Sequence, residues 1–83
     1  MSRFERRLAR IRNNPTDVLW NDLLAVCDVH FGKPRQGRGS HVIYHTPWMD
    51  HPVLVLQPRG GRAKAYQVRQ VLRAIDVMES DGG

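Results

Sequence analysis

The chain has 83 residues, 41% hydrophobic and 25% charged, with a net charge of +5. This size and composition suit one small folded domain and exclude both a disordered chain and two domains. No apolar run approaches the roughly 18 residues of a membrane span, and no apolar stretch follows the basic N-terminus as in a secretory signal. The single cysteine, Cys27, excludes a disulfide framework. We therefore expect a cytoplasmic protein with no membrane partner.

The positive charge is concentrated between residues 33 and 73. Between residues 33 and 73, eight basic side chains are opposed only by Asp50. They are Lys33, Arg35, Arg38, Arg59, Arg62, Lys64, Arg69 and Arg73. A field of one sign attracts a polyanion, and nucleic acid is the commonest polyanion in a cell. The alternative is a basic surface that serves only solubility.

The first predicted element is a helix over residues 2–12. Phe4, Leu8 and Ile11 recur at helical spacing among five arginines, and residues 13–15, Asn-Asn-Pro, end it. Its apolar stripe is narrow, so we expect the helix to need a surface to pack on. A docking arm, an RNA-contacting arm and a frayed end all remain open.

A second helix and three strands are predicted next. The helix should begin with Asn21 as its N-cap residue, run to about His30 and be closed by Gly32. The strands are predicted over residues 32–36, 40–46 and 52–57, with the first at a sheet edge because it contains a proline. Residues 46–51 form the turn between the last two strands.

A flexible basic loop over residues 59–62 leads to the last predicted helix, residues 65–79. Arg69 and Arg73 should share one exposed flank of that helix. The expected fold is α+β in the order α-β-β-β-α, with two helices on one face of a three-stranded antiparallel sheet and an accessory N-terminal helix. This is the layout of double-stranded-RNA-binding-domain-like folds. We divide the chain into an arm (1–15), a domain (16–80) and a frayed tail (81–83).

The histidines are the candidates for chemistry. His41 and His45 lie in one predicted strand, where residues four apart are about 13 Å apart. That is too far for two ligands of one zinc ion at about 2.1 Å each, so we expect no metal and no cofactor. Ser40 precedes His41, but strand neighbours point to opposite faces and do not easily share a hydrogen bond. What remains is one histidine among cations, which could take the proton from an RNA 2′-OH. A lone strand histidine can also be structural or merely exposed.

Three segments of the sequence carry a family resemblance. They are a short helix from Asn21 that ends in Phe31-Gly32, the motif Gly39-Ser40-His41 before an apolar strand, and Lys64-Ala-Tyr-Gln-Val-Arg-Gln-Val-Leu72 at the start of the last helix. In order and spacing they resemble the HicA family of toxins from bacterial type II toxin–antitoxin systems. The resemblance implies a metal-independent mRNA endonuclease that slows growth, with His41 as its catalytic residue. It also implies a HicB-type antitoxin as the protein partner, which covers the active site.

Further residues are predicted to bind RNA. These are Lys33, Arg35, Gly37, Arg38, Gly39, Ser40, Arg62 and Lys64. The glycines would let the backbone approach a phosphate, although an ordinary turn and a solvated strand edge are equally compatible with this segment. Trp48 and Tyr44 could stack on bases, but Tyr44 favours the core. Other hypotheses are a non-catalytic RNA- or DNA-binding module of the same fold and a protein-interaction adaptor. The N-terminal helix could contact the antitoxin or a second copy in a homodimer.

Overall fold

The structure is a computed structural model that describes residues 2–37, 39, 41–46 and 53–82, with side chains as far as Glu79. Within these ranges the chain forms three helices and two small antiparallel sheets. The elements in chain order are α1 (Arg3–Asn13), α2 (Trp20–Phe31), β1 (Arg35–Gln36), β2 (Val42–His45), β3 (Val53–Leu56), β4 (Pro58–Arg59), β5 (Arg62–Ala63) and α3 (Ala65–Gly82). None of the described helices is long and apolar enough to cross a membrane. The three helices and the antiparallel three-stranded sheet confirm the predicted α+β class.

Helix α1 forms where the sequence predicts it. The Ser2 Oγ atom accepts a hydrogen bond from the Glu5 N–H at 3.0 Å, which caps the helix N-terminus. Ile11 is buried, while Phe4 and Leu8 are half-buried against the core. The surface that this narrow stripe requires is provided by α2, which α1 contacts.

The N-cap of helix α2 lies two residues earlier than predicted. Leu19 is its N-cap residue and makes no side-chain capping bond, so the expected Asn21 cap is wrong. The Trp20 N–H instead donates to the backbone carbonyl of Gly61 at 3.1 Å. A carbonyl from a distant loop thus satisfies a donor that capping side chains usually satisfy. The predicted end is confirmed, because Gly32 has a φ of +82° and its N–H donates to Asp28 O.

The three-stranded sheet has β2 at its centre, paired antiparallel with β1 and β3. Its residues alternate between two faces. Those directed at the helices are buried: Val42, Tyr44, Leu54 and Leu56. On the other face, Val53, Val55 and His45 are exposed and Ile43 is half-buried. This second side, which we call the open face, is the side of the sheet away from the core.

All three strands are shorter than predicted. Residues 32–34 do not enter β1 because Gly32 closes α2 and Pro34 has no N–H to donate. His41 precedes β2, and Thr46, which is buried, follows it. The rest of the predicted turn, including Trp48, lies outside the described residues.

The segment predicted as a flexible loop is instead a tight hairpin, formed by β4 and β5. Gly60 and Gly61 connect the strands with φ values of +58° and +76°. Positive φ at both central residues is typical of the two-residue turn that matches strand twist, and glycine adopts it without steric cost. The hairpin is also anchored, because Ala63 N–H donates to Val18 O at 2.9 Å.

Helix α3 extends to Gly82, three residues beyond the predicted end at Glu79. No proline or glycine interrupts residues 80 and 81, so nothing in the sequence stops the helix there. Its buried side chains complete the core formed with α2 and the sheet. That core contains Ile11, Val18, Leu23, Val26, Cys27, Val42, Tyr44, Leu54, Leu56, Ala63, Val68, Val71, Ala74 and Ile75.

Candidate nucleic-acid interface

His41 lies immediately before β2 and is half-buried. Its carbonyl accepts a hydrogen bond from Gly37 N–H at 2.9 Å, which continues the β1–β2 pairing by one residue. A Cβ atom at position 37 would lie 3.0 Å from the His41 Cβ and 3.4 Å from the Ile43 Cδ1. Glycine at position 37 therefore makes room for the His41 side chain.

His41 shares the open face of the sheet. Side chains two apart in a strand point the same way, so His41 groups with Ile43 and His45. The β2–β3 register pairs Val42 with Leu56. Continued by one residue, that register sets His41 opposite Gln57. Gln57, the residue that follows β3, therefore lies beside His41.

Gln57 brings a predicted cation to this end of the sheet. The Lys64 Nζ donates to the Gln57 Oε1 at 3.4 Å, and the Gln57 N–H donates to the Gln67 Oε1 at 3.0 Å. Lys64 is half-buried, and Gln67 is only 5% exposed. Lys64 is therefore held near the β3 end that lies beside His41, although the two residues are far apart in sequence.

Gln57 and Gln67 are functional candidates that sequence reasoning missed. Gln57 has no local signature beyond its place at the end of an apolar strand. Gln67 gives a weak signal, since it precedes Val68 on the buried side of α3 and lies four residues before the buried Val71. A polar residue at a buried helical position usually has a hydrogen-bond partner.

The cations predicted near His41 occupy β1 and the loop before it. Lys33 and Arg35 are exposed. Arg35 pairs with Ile43 in the register, and directly paired residues project to the same side, so Arg35 belongs to the open face. Gly39 has a φ of +63° in the turn that follows. The predicted contacts Arg38 and Ser40 lie outside the described residues.

Arg62 lies elsewhere, on the β4–β5 hairpin. Its guanidinium pairs with the Asp17 carboxylate before α2. Arg62 and Lys64 both line a groove between the hairpin and the start of α3. The described RNA-binding candidates thus fall into two groups, one around His41 and one at this groove. Lys64 lines the groove and also contacts Gln57, which lies beside His41.

Two other titratable side chains are unsuited to catalysis. Burial, followed by the charge of Asp28, raises the pKa of the Cys27 thiol to about 12, so the nucleophilic thiolate is disfavoured. Tyr44 is 1% exposed and therefore cannot stack on a base. Its hydroxyl donates to the Asp28 Oδ1 at 2.6 Å. Burial and then this bond raise the tyrosine pKa. The expectation that Tyr44 belongs to the core is confirmed.

Among the described residues, no group of three or more His, Cys, Asp or Glu side chains is placed to hold a metal ion. His51 lies outside those residues. Comparison of the chain with protein-family models, curated proteins and solved structures finds no match. The assignment of a function therefore depends on the chemistry of the residues themselves.

Proposed function

We propose that the protein is an endoribonuclease with a double-stranded-RNA-binding-domain-like fold, acting as the toxin of a type II toxin–antitoxin pair. Its substrate is mRNA and its general base is His41. The observation that carries the proposal is the position of His41 on the open face of the sheet, with Arg35 on the adjacent strand and Lys64 held at the β3 end. A HicB-type antitoxin would restrain it by covering this face.

The reaction needs no nucleophile from the protein, because the RNA 2′-OH serves as one. The neutral imidazole of His41 takes the 2′-OH proton, and the oxygen attacks the adjacent phosphorus. The phosphorus–O5′ bond breaks, and the departing O5′ takes a proton from solvent. The products are a 2′,3′-cyclic phosphate and a 5′-OH end.

Cations stabilise the negative charge that gathers on the phosphate during this step. Lys64 is the cation we assign to that role, because its ammonium is anchored by Gln57. Lys33 and Arg35 are exposed, and Arg35 lies on β1, which pairs with the edge of β2 opposite β3. They would contact the phosphates of the RNA that flank the scissile bond.

A non-catalytic RNA-binding module of the same fold is the second candidate. It is favoured by the half-burial of His41, which a structural histidine would also have. Both candidates use the same cations, so RNA binding alone does not separate them. The difference is whether the phosphodiester bond is broken.

The test is incubation of single-stranded RNA with the free protein in EDTA, followed by analysis of the RNA ends. Wild-type protein should yield cyclic-phosphate ends, and His41→Ala should be slower by about 100-fold or more. The matched control is His45→Ala, which removes an exposed imidazole four residues further along the same face. It should cleave at close to the wild-type rate.

Intact RNA with wild-type protein would refute the nuclease, as would undiminished cleavage by His41→Ala. Intact RNA together with tight, salt-dependent binding would support the non-catalytic module instead.

A further inference from the structure

A groove of about 590 Å³ lies where the β4–β5 hairpin meets the N-terminal end of α3. Its described lining consists of Thr16, Arg59, Arg62, Ala63, Lys64, Ala65, Tyr66 and Arg69. Four of these side chains are cationic, and none of the described lining residues is acidic. The groove therefore attracts an anion.

Tyr66 is a large aromatic side chain that the core does not use. It is 57% exposed, although it lies between core residues Ala63 and Val68 in the sequence. Its hydroxyl accepts a hydrogen bond from the Gln67 Nε2 at 3.3 Å. Because Gln67 is buried and bonded to β3, the hydroxyl end of Tyr66 is anchored while more than half of the residue stays open to solvent.

The four cations of the groove are not equivalent. Arg62 pairs with Asp17, and Lys64 bonds to Gln57. Arg59 and Arg69 are exposed, and neither forms an ion pair within the described part of the chain. These two guanidiniums are therefore the ones available to a ligand.

We propose that this groove binds single-stranded RNA, with Tyr66 stacked on a base and with Arg59 and Arg69 contacting the flanking phosphates. Unpaired RNA offers both flat bases and phosphates, and proteins commonly bind it with aromatic platforms beside cations. An acidic protein segment would match the cations but would supply no base for the ring.

The inference rests on the proposed function in one respect, namely that the bound strand is also the nuclease substrate. Lys64 lines the groove and contacts Gln57, which the register sets opposite His41. A strand cleaved at His41 would therefore continue past Lys64 towards Tyr66. Single-stranded RNA that extends beyond the scissile phosphate is then the preferred substrate class.

The experiment measures binding without cleavage. The probe is a fluorescein-labelled single-stranded RNA of roughly 12 nucleotides, fully 2′-O-methylated so that no 2′-OH can attack. Fluorescence anisotropy gives the Kd of the full-length protein at several salt concentrations. The variants are Tyr66→Ala, Tyr66→Phe, Arg69→Gln and the control Arg73→Gln, an exposed arginine one helical turn beyond the groove.

Stacking and charge predict different signatures. Tyr66→Ala should raise the Kd about tenfold and leave its salt dependence unchanged, because a stacked ring is lost but no phosphate contact is. Tyr66→Phe should stay within about twofold of wild type, since the ring remains. Arg69→Gln should reduce the slope of log K against log salt by about 0.7, the value for one phosphate contact on a single strand. Arg73→Gln should change neither quantity appreciably.

All substituted side chains are exposed, so circular dichroism should show wild-type folding for each variant. Wild-type affinity in Tyr66→Ala would overturn the proposal, as would no binding by the wild-type protein. It would also be overturned if Tyr66→Ala and Arg69→Gln retained wild-type affinity for the RNA but lost affinity for a poly-glutamate peptide, because the groove would then bind an acidic protein.

The two proposals fail separately. Suppose that the wild-type protein leaves unmodified RNA intact, while Tyr66→Ala binds the probe more weakly than wild type. The nuclease is then refuted, and RNA binding by the groove is supported.

Discussion

Replacing Gln67 by methionine should destabilise the protein while nearly conserving side-chain volume. The Gln67 Oε1 accepts the Gln57 N–H at 3.0 Å, and its Nε2 lies 3.4 Å from the Val55 carbonyl oxygen. These backbone groups are at the edge of β3 that does not pair with another strand. The side chain of Gln67 therefore occupies the hydrogen-bonding positions that a neighbouring strand would fill.

The expected loss follows from these two bonds. A typical internal hydrogen bond contributes about 1 kcal/mol net, and a buried partner left unsatisfied costs more. We expect Gln67→Met to lower the free energy of unfolding by about 2 kcal/mol. In a domain of this size that corresponds to a fall in Tm of about 10 °C.

Urea unfolding followed by circular dichroism measures the change. The control is Gln70→Met, an exposed position on the same helix, which should stay within about 0.5 kcal/mol of wild type. A Gln67→Met midpoint indistinguishable from this control would refute the reasoning, because the edge bonds would then contribute nothing. The two variants must also share the wild-type m-value, the dependence of the unfolding free energy on urea concentration, since a changed m-value reports a different unfolded state.

Two further predictions concern the core beside Asp28. Tyr44→Phe should lower the free energy of unfolding by about 1.5 kcal/mol, because a hydrogen bond to a carboxylate is lost; the same substitution should cost clearly less in an Asp28→Ala background, and an equal cost would contradict this pairing. For Cys27 the folded thiol has its pKa raised to about 12 from an ordinary 9.0, so the unfolded thiol ionises first as the pH rises. The stabilising effect of the neutral thiol should be complete below pH 9 and decline towards pH 12. The difference in the free energy of unfolding between wild type and Cys27→Ala should therefore change over that interval. Parallel curves of unfolding free energy against pH for the two proteins would rule this out.

The main elements could be predicted from the sequence because each has a local periodicity. The apolar spacing of residues 2–12 and 65–79 is helical, and the alternation around Tyr44 is that of a half-buried strand. The start of α2 could not be found this way, because its first N–H is satisfied by Gly61, which is 41 residues away in the sequence. Strands of two residues, such as β4 and β5, are too short for a periodic pattern, although the Gly60-Gly61 pair is a known hairpin signal.

The candidate site was only partly predictable for a similar reason. His41 stands out by its motif, and the basic residues stand out by their charge. The position of Lys64 at the β3 end depends on strand register and on a side-chain bond to Gln57, neither of which leaves a local pattern. Arg62 looks like a free cation in the sequence, but Asp17, 45 residues away, pairs with it.

The anchoring of the β4–β5 hairpin affects when the groove forms during folding. The hairpin is joined to the start of α2 by Trp20 N–Gly61 O, and to the segment before α2 by Ala63 N–Val18 O and the Arg62–Asp17 pair. Such contacts require closure of a long loop and therefore form later than local ones, whereas α1 and α2 are neighbours along the chain. During synthesis from the N-terminus the helical pair is available first. The groove beside Tyr66, which we propose binds RNA, is lined by residues up to Arg69, so a nascent chain cannot use it before the first turns of α3 have been synthesised.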